Sequence, residues 1–174
     1  ALPLPALKAG EVRQMAYQLM NEKQAAEFER DLEMNLAVSV SNSGRFRINL
    51  YYQRGEVSMV ARLIKSQIPS IRQLGLPAPL EKLALLDRGL ILVTGAAGSG
   101  KSTTLAALLD LRNRSKAGHI ICIEDPIEFL HQHQKSVIDQ REVGLDTHSF
   151  AAALRNVLRE APDVIMLGEI RDLD

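Results

Sequence analysis

The first seventy residues change from a helical to a strand-like spacing of apolar positions. Apolar residues between 12 and 20 recur at intervals of three and one, which predicts a helix with one apolar face, and a second helix is predicted over 24–34. Residues 36–40 and 46–50 alternate apolar with polar or small side chains around a turn of Ser, Asn, Ser and Gly, and a third strand is predicted over 57–64. This half should fold as one or two helices packed on a small antiparallel sheet.

The rest of the chain alternates short apolar runs with helical segments. Three runs lack the polar alternation of a half-exposed strand, so each is typical of a strand buried on both faces. Strands separated by helices indicate a parallel sheet, and the predicted class is therefore α/β with helices on both faces of the sheet. The predicted strands are 89–94, 119–124 and 163–167, and the predicted helices are 101–113 and 150–160.

Prolines mark the change between the two patterns. Pro69, Pro77 and Pro79 fall with Gly75 in one stretch of eleven residues, which is typical of a connection between domains. We therefore expect a first domain over 1–74, a linker over 75–80 and a second domain over 81–174.

Composition and charge narrow the class of protein. Of 174 residues, 46% are hydrophobic and 24% charged, which is typical of a globular chain. Lys plus Arg equals Asp plus Glu at 21 each, so the broad positive field needed for sequence-independent binding of nucleic acid is missing. No uncharged run is long enough to cross a bilayer and no signal peptide is recognisable, so we expect neither membrane insertion nor nucleic-acid binding.

One motif carries specific chemistry. The segment from Gly95 to Ser102 fits G-x-x-x-x-G-K-[ST] between a predicted strand and a predicted helix, the arrangement of a phosphate-binding loop. Its glycines let backbone N–H groups point at phosphate oxygens, Lys101 can reach the β- and γ-phosphates, and the Ser102 hydroxyl can ligate Mg²⁺ with support from Thr103. The alternative is a glycine-rich turn that caps a helix and binds nothing. The candidate nucleotide-binding residues are Gly95, Ala96, Ala97, Gly98, Ser99, Gly100, Lys101, Ser102 and Thr103. A guanine-reading Asn-Lys-x-Asp segment is missing from the sequence, which favours ATP.

Acidic residues follow the two later strands. Glu124 and Asp125 end one strand and Glu169 follows another, and ligands in open α/β sheets bind at these carboxyl ends. Our hypothesis is that Glu124 is the general base, while Glu169 acts on Mg²⁺ through a coordinated water or assists the base; which Glu has which role stays open. Asp125 and Glu128 are either site residues or solvated loop acids.

Arginines gather around the predicted hairpin. Arg45, Arg47, Arg54 and Arg62 lie there, and Arg45 and Arg47 fall on the face opposite the apolar positions. Arginines on the surface of a sheet often only solubilise it. In phosphoryl transfer, however, an arginine from a mobile element or a neighbouring subunit can neutralise charge that develops in the transition state.

Together these motifs resemble those of a known family, the secretion-ATPase superfamily, and within it the type IV pilus retraction ATPases. The likeness covers Leu76 to Asp172, and before it the hairpin resembles that of the family's PAS-like N-terminal domain. The matching stretches are the phosphate loop, His119-Ile-Ile-Cys-Ile-Glu-Asp-Pro-Ile-Glu-Phe129, Gln140-Arg-Glu-Val143, Ala153-Leu-Arg, Leu158-Arg-Glu-Ala-Pro-Asp163, Gly168-Glu-Ile-Arg-Asp172, Arg45-Phe-Arg-Ile-Asn and Gln53-Arg-Gly.

This resemblance implies a RecA-like P-loop NTPase core behind a PAS-like domain, in a hexameric, Mg²⁺-dependent ATPase on the cytoplasmic face of a bacterial inner membrane. Such a motor couples ATP hydrolysis to pilus retraction in twitching motility, with an inner-membrane platform protein and, as a further candidate, a paralogous retraction ATPase as partners. Arg47, Arg54 and Arg62 are then candidate arginine fingers. Gly144 and the short start favour the accessory, PilU-like branch over the PilT-like one.

Other readings stay open at this point. The first alternative is a pilus assembly or type II secretion ATPase of the same superfamily. A nucleic-acid translocase is a less favoured alternative, and the least specific one is a nucleotide-binding partner that does not hydrolyse ATP. The resemblance also implies a His box after Asp172, so we expect the ATPase domain to be incomplete at its C-terminus and residues 1–174 alone to hydrolyse ATP poorly.

Overall fold

A computed structural model describes residues 5–8, 10–41 and 43–170. The chain divides into two compact units, Ala1–Ile64 and Lys65–Asp174. None of the helices in the described part is long and apolar enough to span a bilayer.

Two helices and an antiparallel sheet form the first unit, as predicted. Each strand pairs with the next along the chain, so the middle strand is central. The second helix ends three residues before the predicted limit because Leu32, at φ 63°, turns the chain into the first strand. The elements are α1 Glu11–Leu19, α2 Glu22–Asp31, β1 Glu33–Val40, β2 Gly44–Gln53 and β3 Glu56–Leu63.

The core of this unit lies on one face of the sheet. Phe28 of α2 is fully buried and stacks on Tyr52 of β2 with ring centroids 5.3 Å apart. Ile48 and Leu50 are buried beneath the helices. Because side chains alternate along a strand, the intervening residues of β2, including the predicted arginines, occupy the other face.

A parallel sheet forms the second unit, which confirms the predicted α/β class. The strands lie in the order β5-β4-β6, and both pairings of the central strand are parallel. The elements are α3 Pro79–Ala84, α4 Lys101–Ser115, β4 Gly118–Glu124, β5 Ser136–Glu142, α5 Phe150–Val157 and β6 Val164–Leu167.

Helices cover both faces of this sheet, as expected from its apolar central strand. Leu109 of α4 packs with Ile120 and Cys122 on one face of β4. On the other face, Ile121 and Ile123 pack with Ala153 and Val157 of α5. The alternating side chains of β4 therefore bury against opposite helices, and the carboxyl end of β4 is held rigidly at the site described below.

The prediction of a strand over 89–94 is wrong for this structure. These residues pair with no other strand among the described residues, and Leu90 and Leu92 are 81% and 65% exposed. A strand needs a partner for its backbone groups, and apolar side chains alone do not supply one. Conversely, β5 was not predicted, because its sequence mixes charged and apolar residues without a clear period of two. Helix α5 ends at Val157 rather than at 160, and the chain turns there.

The boundary between the units falls earlier than the sequence placed it. The structure divides the chain after Ile64, ten residues before the predicted end of the first domain at residue 74, and residues 75–80 are not a free linker. Lys65 forms a parallel bridge with Phe129, and Ile71 is buried against Ala84 and Leu108. Prolines thus mark a segment that packs on the second unit. The PAS-like identity of the first unit stays a prediction.

Candidate nucleotide-binding site

The predicted phosphate loop lies immediately before α4. Gly95, Gly98 and Gly100 have φ values of 155°, 76° and 95°, which favour glycine. A Cβ on Gly95 would also lie only 2.6 Å from Ser99 Oγ, so a side chain there would collide with the loop itself. The glycines of the motif are therefore required by the path of the backbone.

The N-terminus of α4 has features that favour the binding of an anion. Gly100 precedes the helix and provides no side-chain cap, and the first turn contains no acidic residue. The first N–H groups of a helix lack partners within the helix, and its dipole favours negative charge at that end. A phosphate group is a natural partner for this end of the helix.

Lys101 folds back over the loop. Its Nζ donates to the carbonyl oxygens of Gly95 and Ala96 at 3.0 and 2.9 Å. These two bonds fix the ammonium group at the loop, where it adds a positive charge to the helix terminus.

Ser102 contacts an acidic residue that the sequence left undecided. Its Oγ donates to Oε1 of Glu128 at 3.1 Å, and Glu128 is exposed. The only sign of this role in the sequence was that Glu128 is the last of the three acids in the Glu-Asp-Pro-Ile-Glu stretch. The spacing of residues in the sequence does not show that Glu128 reaches α4. Its contact with Ser102 in the structure places Glu128 in the site.

Glu124 lies buried at the carboxyl end of β4. Its side chain accepts a hydrogen bond from Nε2 of Gln140 at 2.9 Å, and the backbone of Glu128 lies near the same carboxylate and favours its charged form. The pKa of Glu124 is raised to about 7: burial is the largest cause, the hydrogen bond from Gln140 and the Glu128 backbone oppose the rise, and the nearby acids Glu142 and Glu128 add to it. A carboxylate that titrates near neutral pH suits proton transfer.

Glu169 follows β6 beside the end of β4. Gly168 precedes it and donates its N–H to the carbonyl oxygen of Ile123 at 2.8 Å. A Cβ on Gly168 would lie 3.3 Å from the Cα of Glu124, a tight contact with backbone. This close approach explains why glycine stands where a metal-directing Asp is common, with the acid one position later.

The arginines lie in the other unit, and those on its strands occupy the sheet face opposite its core. Arg47 of β2 stands directly across from Arg62 of β3, and Arg45 stands across from Ser39. Arg54 is exposed at the tip of the β2–β3 turn, where Arg54 and Gly55 both have positive φ. Like charges directly opposite each other destabilise a sheet, so the pair of Arg47 and Arg62 favours an anionic partner.

The structure brings together part of the predicted site. A glycine loop, a helix N-terminus, Lys101 and Ser102 meet Glu128, and the ends of β4 and β6 bring Glu124 beside Gly168. A glycine loop that opens a helix, with a lysine and a serine in its first turn and acids at the strand ends, defines the class of P-loop nucleotide-binding domains.

Comparison with known proteins gives the family. The family model described as "Type II/IV secretion system protein" matches residues 9–174, and the chain belongs to that family.

Individual relatives are similar over nearly the whole chain. The "Type IV pilus ATPase PilU" of Pseudomonas aeruginosa is 52% identical over 95% of this chain and 43% of its own length. The "Type IV pilus retractation ATPase PilT" of the same organism is 46% identical over 98% of this chain and 50% of its own length. The crystal structure of the pilus retraction motor PilT with bound ADP superposes with a TM-score of 0.89 at 50% identity, covering 92% of this chain and 47% of that one. The chain thus spans about half the length of the relatives it matches.

Proposed function

We propose that the chain is part of a motor ATPase subunit that couples ATP hydrolysis to retraction of a type IV pilus. The observation that carries the nucleotide chemistry is the loop from Gly95 to Gly100, with Lys101 and Ser102 at the uncapped N-terminus of α4. The pilus assignment is supported by the named relatives, and the higher identity to the PilU relative favours the accessory branch.

In this proposal the loop and α4 bind the phosphates of ATP. Backbone N–H groups of the loop and of the first turn of α4 would donate to phosphate oxygens, and the Lys101 ammonium would exchange its two carbonyl partners for the β- and γ-phosphates. Thr103, one residue on, would support this end of the helix.

The residues at this end of α4 also fit Mg²⁺. The Ser102 hydroxyl and the Glu128 carboxylate are oxygen donors that already lie 3.1 Å apart, and Mg²⁺ takes one or two carboxylates together with substrate phosphates. Glu169 would direct the ion through a coordinated water. When bound, Mg²⁺ neutralises charge on the phosphates of the nucleotide.

For hydrolysis we keep Glu124 as the general base, because its pKa of about 7 suits that role. Glu128 is a second candidate, since it is exposed and already contacts Ser102. Replacing Glu124, Glu128 and Glu169 singly with Gln, and measuring ATP binding and turnover separately, tests these roles. Unchanged turnover in both the Glu124 and Glu169 variants would overturn the original assignment.

The hairpin arginines are proposed to act on a neighbouring subunit of a homohexamer. Arg47, Arg54 and Arg62 would bring positive charge to the nucleotide held by the next copy, and the crowding of Arg47 and Arg62 supports an anionic partner. The proposal places the motor at the cytoplasmic face of the inner membrane, with a pilus platform protein and a paralogous retraction ATPase as candidate partners.

A genetic experiment tests the direction of action. Lys101→Ala in the complete gene should abolish twitching while pili are retained or accumulate, because the phosphate site no longer supports turnover. Lys82→Ala, at an exposed lysine of α3 outside the phosphate-loop motif, is the matched control and should twitch normally. Loss of pili in the Lys101 variant would favour an assembly or secretion ATPase of the same family, which the family description also covers. Stimulation of the ATPase by DNA or RNA at low salt would favour a translocase.

A further inference from the structure

Gln140 of β5 makes three hydrogen bonds around residues 124–131, the acidic loop at the end of β4. Its Nε2 donates to Oε1 of Glu124 at 2.9 Å and to the carbonyl oxygen of Phe129 at 2.8 Å, while its Oε1 accepts from the N–H of His131 at 2.9 Å. These contacts join one side chain to both ends of the loop that follows β4.

Only one orientation of the Gln140 amide satisfies these contacts. Exchanging its oxygen and nitrogen would place the oxygen against the Glu124 carboxylate and the Phe129 carbonyl, and the NH₂ group against the His131 N–H. Two repulsive contacts between acceptors and one between donors would result. The surroundings therefore fix the amide so that it donates to Glu124.

Glu142 holds the middle of the same loop. It lies two residues after Gln140, on the same face of β5, and is only 2% exposed. Its Oε2 accepts from the backbone N–H of Ile127 at 3.2 Å. Two side chains of β5 thus fix the loop at its start, middle and end.

The contacts continue from Gln140 to the phosphate-binding helix. Gln140 donates to the Glu124 carboxylate, the backbone of Glu128 lies near that carboxylate, and the Glu128 side chain accepts from Ser102 Oγ. The turn from 124 to 128 is only five residues long, so displacement of the Glu124 side chain would move the backbone that presents Glu128.

We propose that Gln140 is a positioning residue for ATP hydrolysis: it fixes the Glu124 carboxylate and, through the turn from 124 to 128, places the Glu128 carboxylate against Ser102. This inference rests on the proposed function of the acidic loop. Gln140 itself makes no contact with the phosphate loop among the hydrogen bonds of the described residues, so it should influence turnover without binding nucleotide.

The test uses the full-length protein with Gln140→Met, which keeps the length of the side chain and removes all three bonds, and Gln140→Glu, which keeps its shape and sets two carboxylates against each other. Gln134→Met, at an exposed position of the same unit, is the matched control.

We expect kcat to fall about 10- to 100-fold in both Gln140 variants, the range seen when supporting contacts of a reactive group are lost. KM for ATP and affinity for ADP should stay within about twofold of the parent, since the loop and α4 are untouched. Turnover is expressed per titrated ADP-binding site, so partly unfolded protein does not enter the comparison.

A double-mutant cycle separates positioning from a merely structural role. In a Glu124→Gln background, Gln140→Met should lower kcat by at most about threefold, because residues that act through one another are not additive. The same 10- to 100-fold loss in both backgrounds, a kcat within about twofold of the parent in both Gln140 variants, or a loss confined to KM would overturn the inference. Full turnover in both Glu124→Gln and Glu128→Gln would instead refute the proposed function of the loop.

Discussion

Gly168 offers a sharp test of how closely β4 and β6 must approach at the site. An added Cβ would meet the Cα of Glu124 at 3.3 Å and the carbonyl oxygen of Ile123 at 3.4 Å. Both neighbours are backbone atoms, and the strands cannot separate without losing the bond from the Gly168 N–H to Ile123, which is 2.8 Å long. The contact can therefore be relieved only by moving the sheet or the segment after β6.

The expected cost of Gly168→Ala follows from this geometry. Overpacking a rigid site typically lowers the free energy of unfolding by about 1–3 kcal/mol, and we expect that range here. Gly168→Asp should cost more, although it restores the acid common at this position. Its carboxylate would enter the surroundings of Glu124, whose pKa burial and nearby acids already raise to about 7.

Urea unfolding of the full-length protein measures the stability loss, and steady-state ATP hydrolysis below the unfolding midpoint measures displacement of the site. Gly144→Ala is the control: φ is 86° and no atom lies within 4 Å of the added Cβ, so it strains the backbone without crowding Glu124. It should lose about 1–2 kcal/mol of stability and keep its turnover. A Gly168→Ala protein as stable and active as the parent, or an active Gly168→Asp protein, would refute the argument.

Three further predictions concern other contacts. Asn113→Ala should lower the free energy of unfolding by about 1–3 kcal/mol in urea titrations, because it removes the donor that the fully buried Asn113 provides to the Gln132 carbonyl, while the Gln134 N–H keeps the Ser136 carbonyl as an acceptor; Asn156→Ala, on an exposed helix face, is its control, and equal losses in the two variants would contradict this reasoning. The hydrogen bond that His119 Nε2 donates to the Asp139 carboxylate raises the pKa of His119 above 6.5, so its stabilisation is present in full below pH 6.5 and is lost as the pH rises through the raised pKa. Asp139→Asn should therefore lower the melting temperature more at pH 5.5 than at pH 8.5, and an equal shift at both values would exclude the ion pair as the cause. Arg62→Gln should relieve repulsion with Arg47 and leave the full-length protein at least as stable in thermal unfolding, while lowering its ATP turnover; a loss of stability would indicate that the two arginines are held by contacts within their own sheet.

The sequence predicts the helices and strands in which apolar side chains recur at a single period. It does not predict elements that depend on contacts with residues far away along the chain. Strand β4 was recognisable because its apolar run is buried on both faces. Strand β5 was not, because polar side chains occupy its inward positions: Ser136 and Glu142 are buried and Gln140 is half-buried, and their polar atoms are paired with other segments. Residues 89–94 show the converse case, since their apolar run lacks a pairing strand among the described residues.

The same distinction holds for the site. The loop from Gly95 to Ser102 was predictable because its chemistry is contained in eight consecutive residues. Glu128 reaches Ser102 across 26 positions of the chain, and Gln140 reaches Glu124 across 16. Local spacing cannot reveal such contacts, so in the sequence alone Gln140 stands out only as part of a family motif.

Register between parallel strands is what assembles the acidic half of the site. Cys122 pairs with Gln140 and Glu124 with Glu142, and this pairing sends both polar side chains of β5 towards the loop after β4. A slip of one residue would bring Asp139 or Arg141 to the place of Gln140 and reverse the face of every side chain on β5. The Glu124 carboxylate would then lose its neutral donor and meet a charge. The apolar side chains that hold β4 between α4 and α5 thus fix the register on which the geometry of the acidic loop depends.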